Sequence, residues 1–211
     1  MPIDDTPCPL CRNLGSWVQG TEFLLCRECR GLFRHARHLP GLEQEMARYE
    51  THRNDVNDPR YQAFVAPIVR AVARDYTPNH SGLDFGAGTG PVISKLLSDK
   101  GYRIAQYDPF FHNRPALLEE SYDYIVCCEV IEHFRSPGRE FRLLKRLLKP
   151  QGRLYCMTDL YHSWIKLRDW YYIKDPTHVF IYQPATLEWV RRNHGFSSCR
   201  IRDRLIVLLN P

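Results

Sequence analysis

The sequence predicts an α/β chain: a doubly wound, mostly parallel sheet with a small ribbon at its front. Three stretches of the 211 residues carry that prediction. Gly82-Leu83-Asp84-Phe85-Gly86-Ala87-Gly88-Thr89-Gly90 is a short apolar run entering a tight glycine turn, and the amphipathic segment Val92 to Leu97 leaves it as a helix. Tyr122 to Cys128 is near-continuously apolar, as a parallel strand buried on both faces must be. Ahead of both, Cys8-Pro9-Leu10-Cys11 and Cys26-Arg27-Glu28-Cys29 form two C-x-x-C knuckles separated by fourteen residues.

Composition sets the bounds. Hydrophobic residues make up 44% and charged residues 25%, the balance of a packed globular protein. A net charge of +5 permits an anionic substrate or RNA and argues for neither. The longest purely aliphatic run, Leu205 to Leu209, is far too short to span a membrane. Asp4 and Asp5 stand where a secretory signal would be apolar, so the expected compartment is the cytoplasm and no membrane partner is expected. A disulfide framework is therefore not expected, and Cys127, Cys128, Cys156 and Cys199 read as reduced thiols within apolar strands. Oligomeric state is left open.

Residues 1–40 read as a zinc ribbon. A two-residue gap brings both thiolates of a knuckle to one ion, and two knuckles close a tetrahedral site at Cys8, Cys11, Cys26 and Cys29. Four thiolates leave no open coordination position, so the site is structural. So short a segment is ordered by its metal rather than by a core of its own. Arg27, Arg30, Arg34 and Arg37 make the ribbon basic; such ribbons sometimes grip RNA phosphates and more often pack on a neighbouring domain with their charge in water, and the sequence leaves both open.

Residues 41–80 form a connector and cap. Leu42, Met46 and Tyr49 are spaced for one face of a short helix. A polar link follows from Thr51 to Asp58, and Pro59 opens a second helix with Tyr61, Phe64, Val65, Ile68, Val69 and Val72 on its core face. Tyr49, His52 and Asn54 either form part of a solvated loop, the reading favoured here, or reach a site at the glycine turn.

Residues 81–211 carry the sheet. The helix after the turn runs to Lys100 and stops at Gly101. Tyr102 to Tyr107 is the second strand, ending at Asp108, where an acid accepts hydrogen bonds from ribose hydroxyls. Phe110 or Phe111 is a candidate to stack on an adenine. Pro109 to Ser121 leaves too little chain for a normal third strand and helix, so these are expected to be shortened or missing. Tyr122 to Cys128 runs into Glu129-Val130-Ile131-Glu132-His133, and Ser136 and Pro137 open a helix with Phe141, Leu144, Leu147 and Leu148 on one face. Pro150-Gln151-Gly152 turns the chain into strand Arg153 to Met157. Residues 160–182 are rich in Tyr and Trp, partly packing and partly wall of a pocket. Ala185 to His194 is a helix stopped by Gly195, and Phe196 to Arg202 with Leu205 to Leu209 form a closing hairpin.

The glycine spacing is G-x-G-x-G with Asp84 two residues ahead; a dinucleotide fingerprint would need glycine at Pro91. It resembles motif I of the class I S-adenosylmethionine (SAM) methyltransferases. Tyr122 to Met157 is similar to their later motifs, especially those of ubiquinone-biosynthesis O-methyltransferases, with E-V-x-E-H, helix, L-K-P-x-G and strand in order. The resemblance covers roughly residues 80–160. It implies the Rossmann-like, seven-stranded-type sheet of that class, and SAM along Asp84, Gly86, Gly88, Gly90, Asp108 and Glu129.

Glu129, Glu132 and His133 stand at i, i+3 and i+4, one face if the chain turns helically there. Two carboxylates and an imidazole can bind a divalent ion, Mg²⁺, Mn²⁺ or Zn²⁺. The E-x-x-E-H pattern also resembles small-RNA 2′-O-methyltransferases, which implies a further histidine ligand downstream; His178 in Asp175-Pro176-Thr177-His178 corresponds. Catalysis would then rest on Glu132, His133 and His178. In a metal-free reading, Glu129 and His133 line the SAM pocket, Glu132 caps the next helix and a histidine acts alone as base. The expected reaction is methyl transfer to an oxygen of a small hydroxylated acceptor or of RNA ribose. Two other classes compete: an RNA-binding module with a non-catalytic α/β domain, and an NAD-dependent oxidoreductase.

Overall fold

The computed structural model describes residues 3–51 and 54–211; the candidate His52 lies outside the described residues. Strands β1 (Ile3–Pro7), β2 (Leu14–Trp17), β3 (Phe23–Cys26) and β4 (Leu32–Arg34) build the ribbon as an antiparallel sheet. Helices α1 (Leu42–Glu50) and α2 (Pro59–Asp75) follow. Then come β5 (Ser81–Phe85), α3 (Val92–Ser98), β6 (Arg103–Tyr107), β7 (Tyr122–Cys128), α4 (Pro137–Leu147) and β8 (Leu148–Met157). The two-residue β9 (Phe180–Ile181), α5 (Pro184–Asn193) and the hairpin β10 (Ser198–Arg202) and β11 (Leu205–Leu209) complete the chain.

The main sheet has six strands in the order β10-β11-β8-β7-β5-β6. The four strands β8, β7, β5 and β6 run parallel, and the hairpin joins them antiparallel through β11. Among the described residues no strand lies outside β6. The short segment between β6 and β7 holds one 3-10 turn, Pro115–Glu119, so the expected third strand is missing rather than shortened. Alternation along β7 divides the core: Tyr124 and Val126 pack with α2 and α3, while Ile125 and Cys127 pack with α4 and α5.

Two expectations differ from what the chain does. The turn at Pro150-Gln151-Gly152 is an irregularity inside one long strand: Tyr122 pairs Leu148, Tyr124 pairs Arg153, and Gln151 takes up the extra length at φ 62°. Leu42 and Met46 face water, at 66% and 42% exposure, and Glu45 is the buried residue of α1. That helix lies against polar side chains, Arg135 among them, so a carboxylate suits its inner face better than an aliphatic chain does.

The ribbon packs into the core of the main domain. Cys8, Leu10, Leu24, Cys26, Cys29 and Phe33 share one apolar cluster with Phe141, Phe180, Tyr182 and Leu187. β4 pairs with β9, Leu32 opposite Ile181 and Phe33 opposite Phe180, so a strand from the C-terminal half finishes the ribbon sheet. Among the described residues no helix is long and apolar enough to cross a membrane.

Candidate active site

Three glycines follow β5, and each is required for a different reason. Gly86 has φ 80°, and a Cβ there would stand 2.5 Å from the Val130 side chain. Gly88 has φ 61° with open space where a Cβ would stand, the bare surface a ligand needs. Gly90 lies beneath the connector: its Cβ would fall 1.8 Å from the Asn54 carbonyl oxygen. The connector thus crosses the glycine turn at Asn54 rather than running as a solvated loop there. The turn is held from below by Tyr107, whose carbonyl accepts from Gly86 and Ala87 N–H at 2.8 and 3.2 Å.

The two acids of this turn do different work. Asp84 is buried and accepts from Ser94 Oγ at 2.8 Å, tying strand β5 to helix α3; burial pushes its carboxyl up to about 6. It supports the ligand surface from behind. Asp108 accepts from Gly88 N–H through Oδ2 at 3.0 Å, and from Phe110 and Phe111 N–H through Oδ1 at 2.9 and 3.1 Å. A carboxylate has about four lone-pair directions, two on each oxygen, so one on Oδ2 still serves a ribose hydroxyl. Tyr49 packs edge-on to Phe110 and to His133, with ring centroids 5.6 and 5.3 Å apart. It bridges the end of β6 and the turn after β7.

After β7 the chain does not turn helically at once. Glu129 sits at φ 53°, and a 3-10 turn forms only over Ile131–His133. That kink removes Glu129 from the face predicted for it. Its carboxylate meets Arg204 at 2.6 Å, and Arg204 also pairs with Asp159 at 2.9 Å. Burial, then the nearby Glu132, push the Glu129 carboxyl up to about 8 against the pull of Arg204.

Glu132, His133 and His178 do converge: one ligand atom from each lies within 4.8 Å of the others. Both rings are oriented by main-chain carbonyls. His133 Nδ1 lies 2.9 Å from Thr177 O, and His178 Nδ1 lies 2.7 Å from Tyr172 O. A carbonyl can only accept, so both Nδ1 atoms carry the proton and both Nε2 atoms carry the lone pair in the neutral rings. Glu132 is fully buried; Oε1 accepts from the Tyr172 hydroxyl, and Oε2 has no hydrogen-bond partner among the described residues. Burial raises the Glu132 carboxyl, His178 opposing, and burial lowers the His178 imidazole, Glu132 opposing. A cation at this point would answer both costs of burial, so the donor set fits a divalent ion.

The surrounding loop supplies groups that sequence reasoning did not single out. Tyr172 also bonds Thr158 Oγ1 at 2.7 Å, fixing the phenol against Glu132. Asp175 accepts from Thr177 and from Arg48 of α1; these bonds outweigh the upward push of burial and hold its carboxyl well below the usual range. Tyr172 stood inside the noted aromatic run. For Arg48 the sequence offers no signal, because its partner lies 127 positions away.

In the ribbon, the four sulfurs Cys8, Cys11, Cys26 and Cys29 also lie within 4.8 Å of one another. Cys8–Cys29 and Cys11–Cys26 are 3.6 and 3.3 Å apart, and all four are free thiols rather than disulfides. Such a cage fits a tetrahedral zinc.

Residues 49–199 match the family described as Methyltransferase domain. The ubiquinone biosynthesis O-methyltransferase of Actinobacillus pleuropneumoniae (strain AP76) is 32% identical over 84 residues, 38% of this chain and 36% of that protein. The Pasteurella multocida protein of the same name is 29% identical over 87 residues, 37% and 36% of the two chains. The alignments thus span about a third of these curated relatives. Among solved structures, human N-acetylserotonin methyltransferase in complex with SAM superposes with a TM-score of 0.56 at 12% identity, covering 82% of this chain and 60% of that one. A SAM-dependent methyltransferase from Archaeoglobus fulgidus gives 0.52 at 20% identity, covering 66% and 71%. At these identities the superpositions speak to the fold.

Proposed function

Since the chain belongs to the methyltransferase-domain family, as a class I SAM-dependent methyltransferase, we propose that it methylates a hydroxyl oxygen held at the Glu132–His133–His178 cluster with the help of a divalent ion. The observation that carries this is the fully buried Glu132 Oε2, without a hydrogen-bond partner, beside two imidazoles whose Nδ1 protons are fixed on carbonyls. Two imidazoles and one carboxylate favour Mn²⁺, or Zn²⁺, over Mg²⁺, which prefers oxygen ligands. Such an ion, when bound, lowers the pKa of an acceptor hydroxyl and binds a neighbouring oxygen of the same acceptor.

The residues do the rest. Gly88 leaves room for the sulfonium ligand, Gly86 and Gly90 let the turn pack against Val130 and Asn54, and Asp108 offers its remaining lone pair to a ribose. Tyr172 and Thr158 fix the Glu132 carboxylate, and Thr177 and Tyr172 carbonyls fix the two rings. Methyl transfer is in-line, so holding the acceptor oxygen opposite the sulfonium is the main contribution. The acceptor class is one with neighbouring hydroxyls, a small hydroxylated molecule or the ribose of RNA. The ribbon holds one structural zinc at Cys8, Cys11, Cys26 and Cys29.

The test is transfer of labelled methyl from SAM to a catechol and to a short ribo-oligonucleotide, each with Mn²⁺ and with EDTA. Transfer to either acceptor that is lost in EDTA and restored by Mn²⁺ supports the reading. Full turnover in EDTA removes the ion and leaves a histidine base.

A further inference from the structure

One side chain of the ribbon reaches the loop that carries His178. β4 begins three residues after Cys29 and ends at Arg34, whose side chain is only 5% exposed. The Arg34 backbone N–H donates to Val179 O at 2.8 Å, and Val179 N–H donates to Glu132 O at 2.9 Å, so main chain alone links ribbon to cluster in two steps. The guanidinium donates to the carbonyls of Ile173 and Asp175 at 3.0 Å each and of His178 at 3.4 Å. It also pairs with Glu22 and lies over the Phe23 ring, both ribbon residues.

A buried guanidinium is tolerated only when its donors are met. Here they are met by three carbonyls of one loop and one carboxylate of the ribbon. That same loop contains Tyr172, whose carbonyl sets the His178 ring and whose hydroxyl holds Glu132. The planar fork of arginine spans these acceptors at once; the ammonium of a lysine is a point donor and does not. The β3–β4 hairpin that presents Arg34 is in turn anchored at Cys26, whose N–H bonds Gly31 O at 2.9 Å beside the four-sulfur cage.

We propose that Arg34 is a positioning residue for the active site, and that the ribbon serves this chain by holding the 172–178 loop so that His178 completes the cluster with Glu132 and His133. The inference rests on the divalent-ion reading above only for one of its two readouts.

The experiment uses the full chain with ¹⁵N-labelled histidine. Long-range ¹H–¹⁵N spectra read the His178 tautomer and environment with no ion added, and Mn²⁺ titration followed by electron paramagnetic resonance reads the assembled cluster. Arg34→Met and Arg34→Lys are compared with Arg27→Met, at an exposed ribbon arginine whose guanidinium bonds Ser16 of the ribbon. Both Arg34 variants should displace or broaden the His178 signals and weaken Mn²⁺ binding at least about tenfold. Zinc content and SAM affinity should stay within about twofold of wild type, and Arg27→Met should match wild type throughout. Arg34→Lys keeps the charge and secures the comparison if Arg34→Met does not fold. Wild-type His178 signals in Arg34→Lys overturn the proposal. If wild-type protein binds no Mn²⁺, the divalent-ion reading fails by itself; changed His178 signals then still support the positioning role, and unchanged ones overturn it.

Discussion

If a divalent ion is held at the Glu132–His133–His178 cluster, Glu132 is where the chemistry is most exposed to a single change. Its Oε2 is buried without a hydrogen-bond partner, so Glu132→Gln substitutes a neutral amide at a place that suits a ligand to a cation. Methyl transfer should fall at least about a hundredfold, in keeping with loss of a metal-held nucleophile, while calorimetry should find SAM affinity nearly intact. His178→Ala should behave alike. At Gly88 the open space predicts the reverse pattern: Gly88→Val should reduce SAM binding before any step of transfer, because the branched side chain enters ligand volume at a positive φ. Asp108→Ala should weaken SAM binding about ten- to a hundredfold through loss of a charged acceptor. Part of that loss is structural, since Asp108 also secures Gly88 N–H. A residue outside the site contributes to the pH dependence of stability. Burial, with Arg142 adding to it, holds His194 at about 4, and among the described residues its buried Nε2 has no hydrogen-bond partner. The unfolded chain takes up this proton near pH 6.5 and the folded chain does not, so stability falls as pH drops from about 6.5 towards 4. Denaturant midpoints across that window should lose about 1–2 kcal/mol through this group after allowance for solvent. His194→Gln should flatten the slope.

At the scale of elements, the contact between α4 and the first cysteine knuckle is tight. Gly138 lies in the first turn of α4, and a Cβ there would stand 2.6 Å from the Leu10 carbonyl oxygen. In an isolated helix, Gly→Ala is favourable by about 1 kcal/mol. Here Gly138→Ala should instead destabilise by about 1–3 kcal/mol, the usual cost of overpacking, because backbone cannot move aside as a side chain tip can. Chemical denaturation would measure it, and a stabilised variant would contradict this docking. The connector helix shows the same rule from the other side. Periodicity put Leu42, Met46 and Tyr49 on one face, yet Leu42 and Met46 are exposed and Glu45 is the residue buried, bonded to Tyr49 and Arg135. Apolar spacing locates a face only when the surface it meets is apolar. α1 meets the polar surroundings of the site, and the pattern misled for that reason.

For the whole molecule, the shared apolar cluster of ribbon and sheet predicts one cooperative unit. Ribbon zinc removed by a strong chelator should lower the unfolding temperature of the entire chain in a single calorimetric transition, by about 2–4 °C for each kcal/mol of binding lost. Elemental analysis beforehand should give about one zinc per chain bound at the four cysteines. Two separated transitions, with the sheet melting unchanged, would show a ribbon that folds on its own account.

The chain's own residues determined the succession of strands and helices from β5 to β8, the lack of room for a normal third strand, the glycine turn and the paired cysteine knuckles. These are features of local spacing, where turn chemistry and burial periodicity act on neighbours a few positions apart. Glu132, His133 and His178 were also legible, through adjacency and a motif. Tertiary structure alone decided which of the marked residues meet. The positive φ at Glu129 sent that carboxylate to Arg204, 75 positions on, and left the cluster with three members. Arg34 reached its carbonyl partners across 139 to 144 positions, and β4 found β9, which joins the ribbon to the chain that follows the 172–178 loop. A buried polar group takes its meaning from whichever donor or acceptor folding brings within about 3 Å, and no local pattern in the chain records that distance.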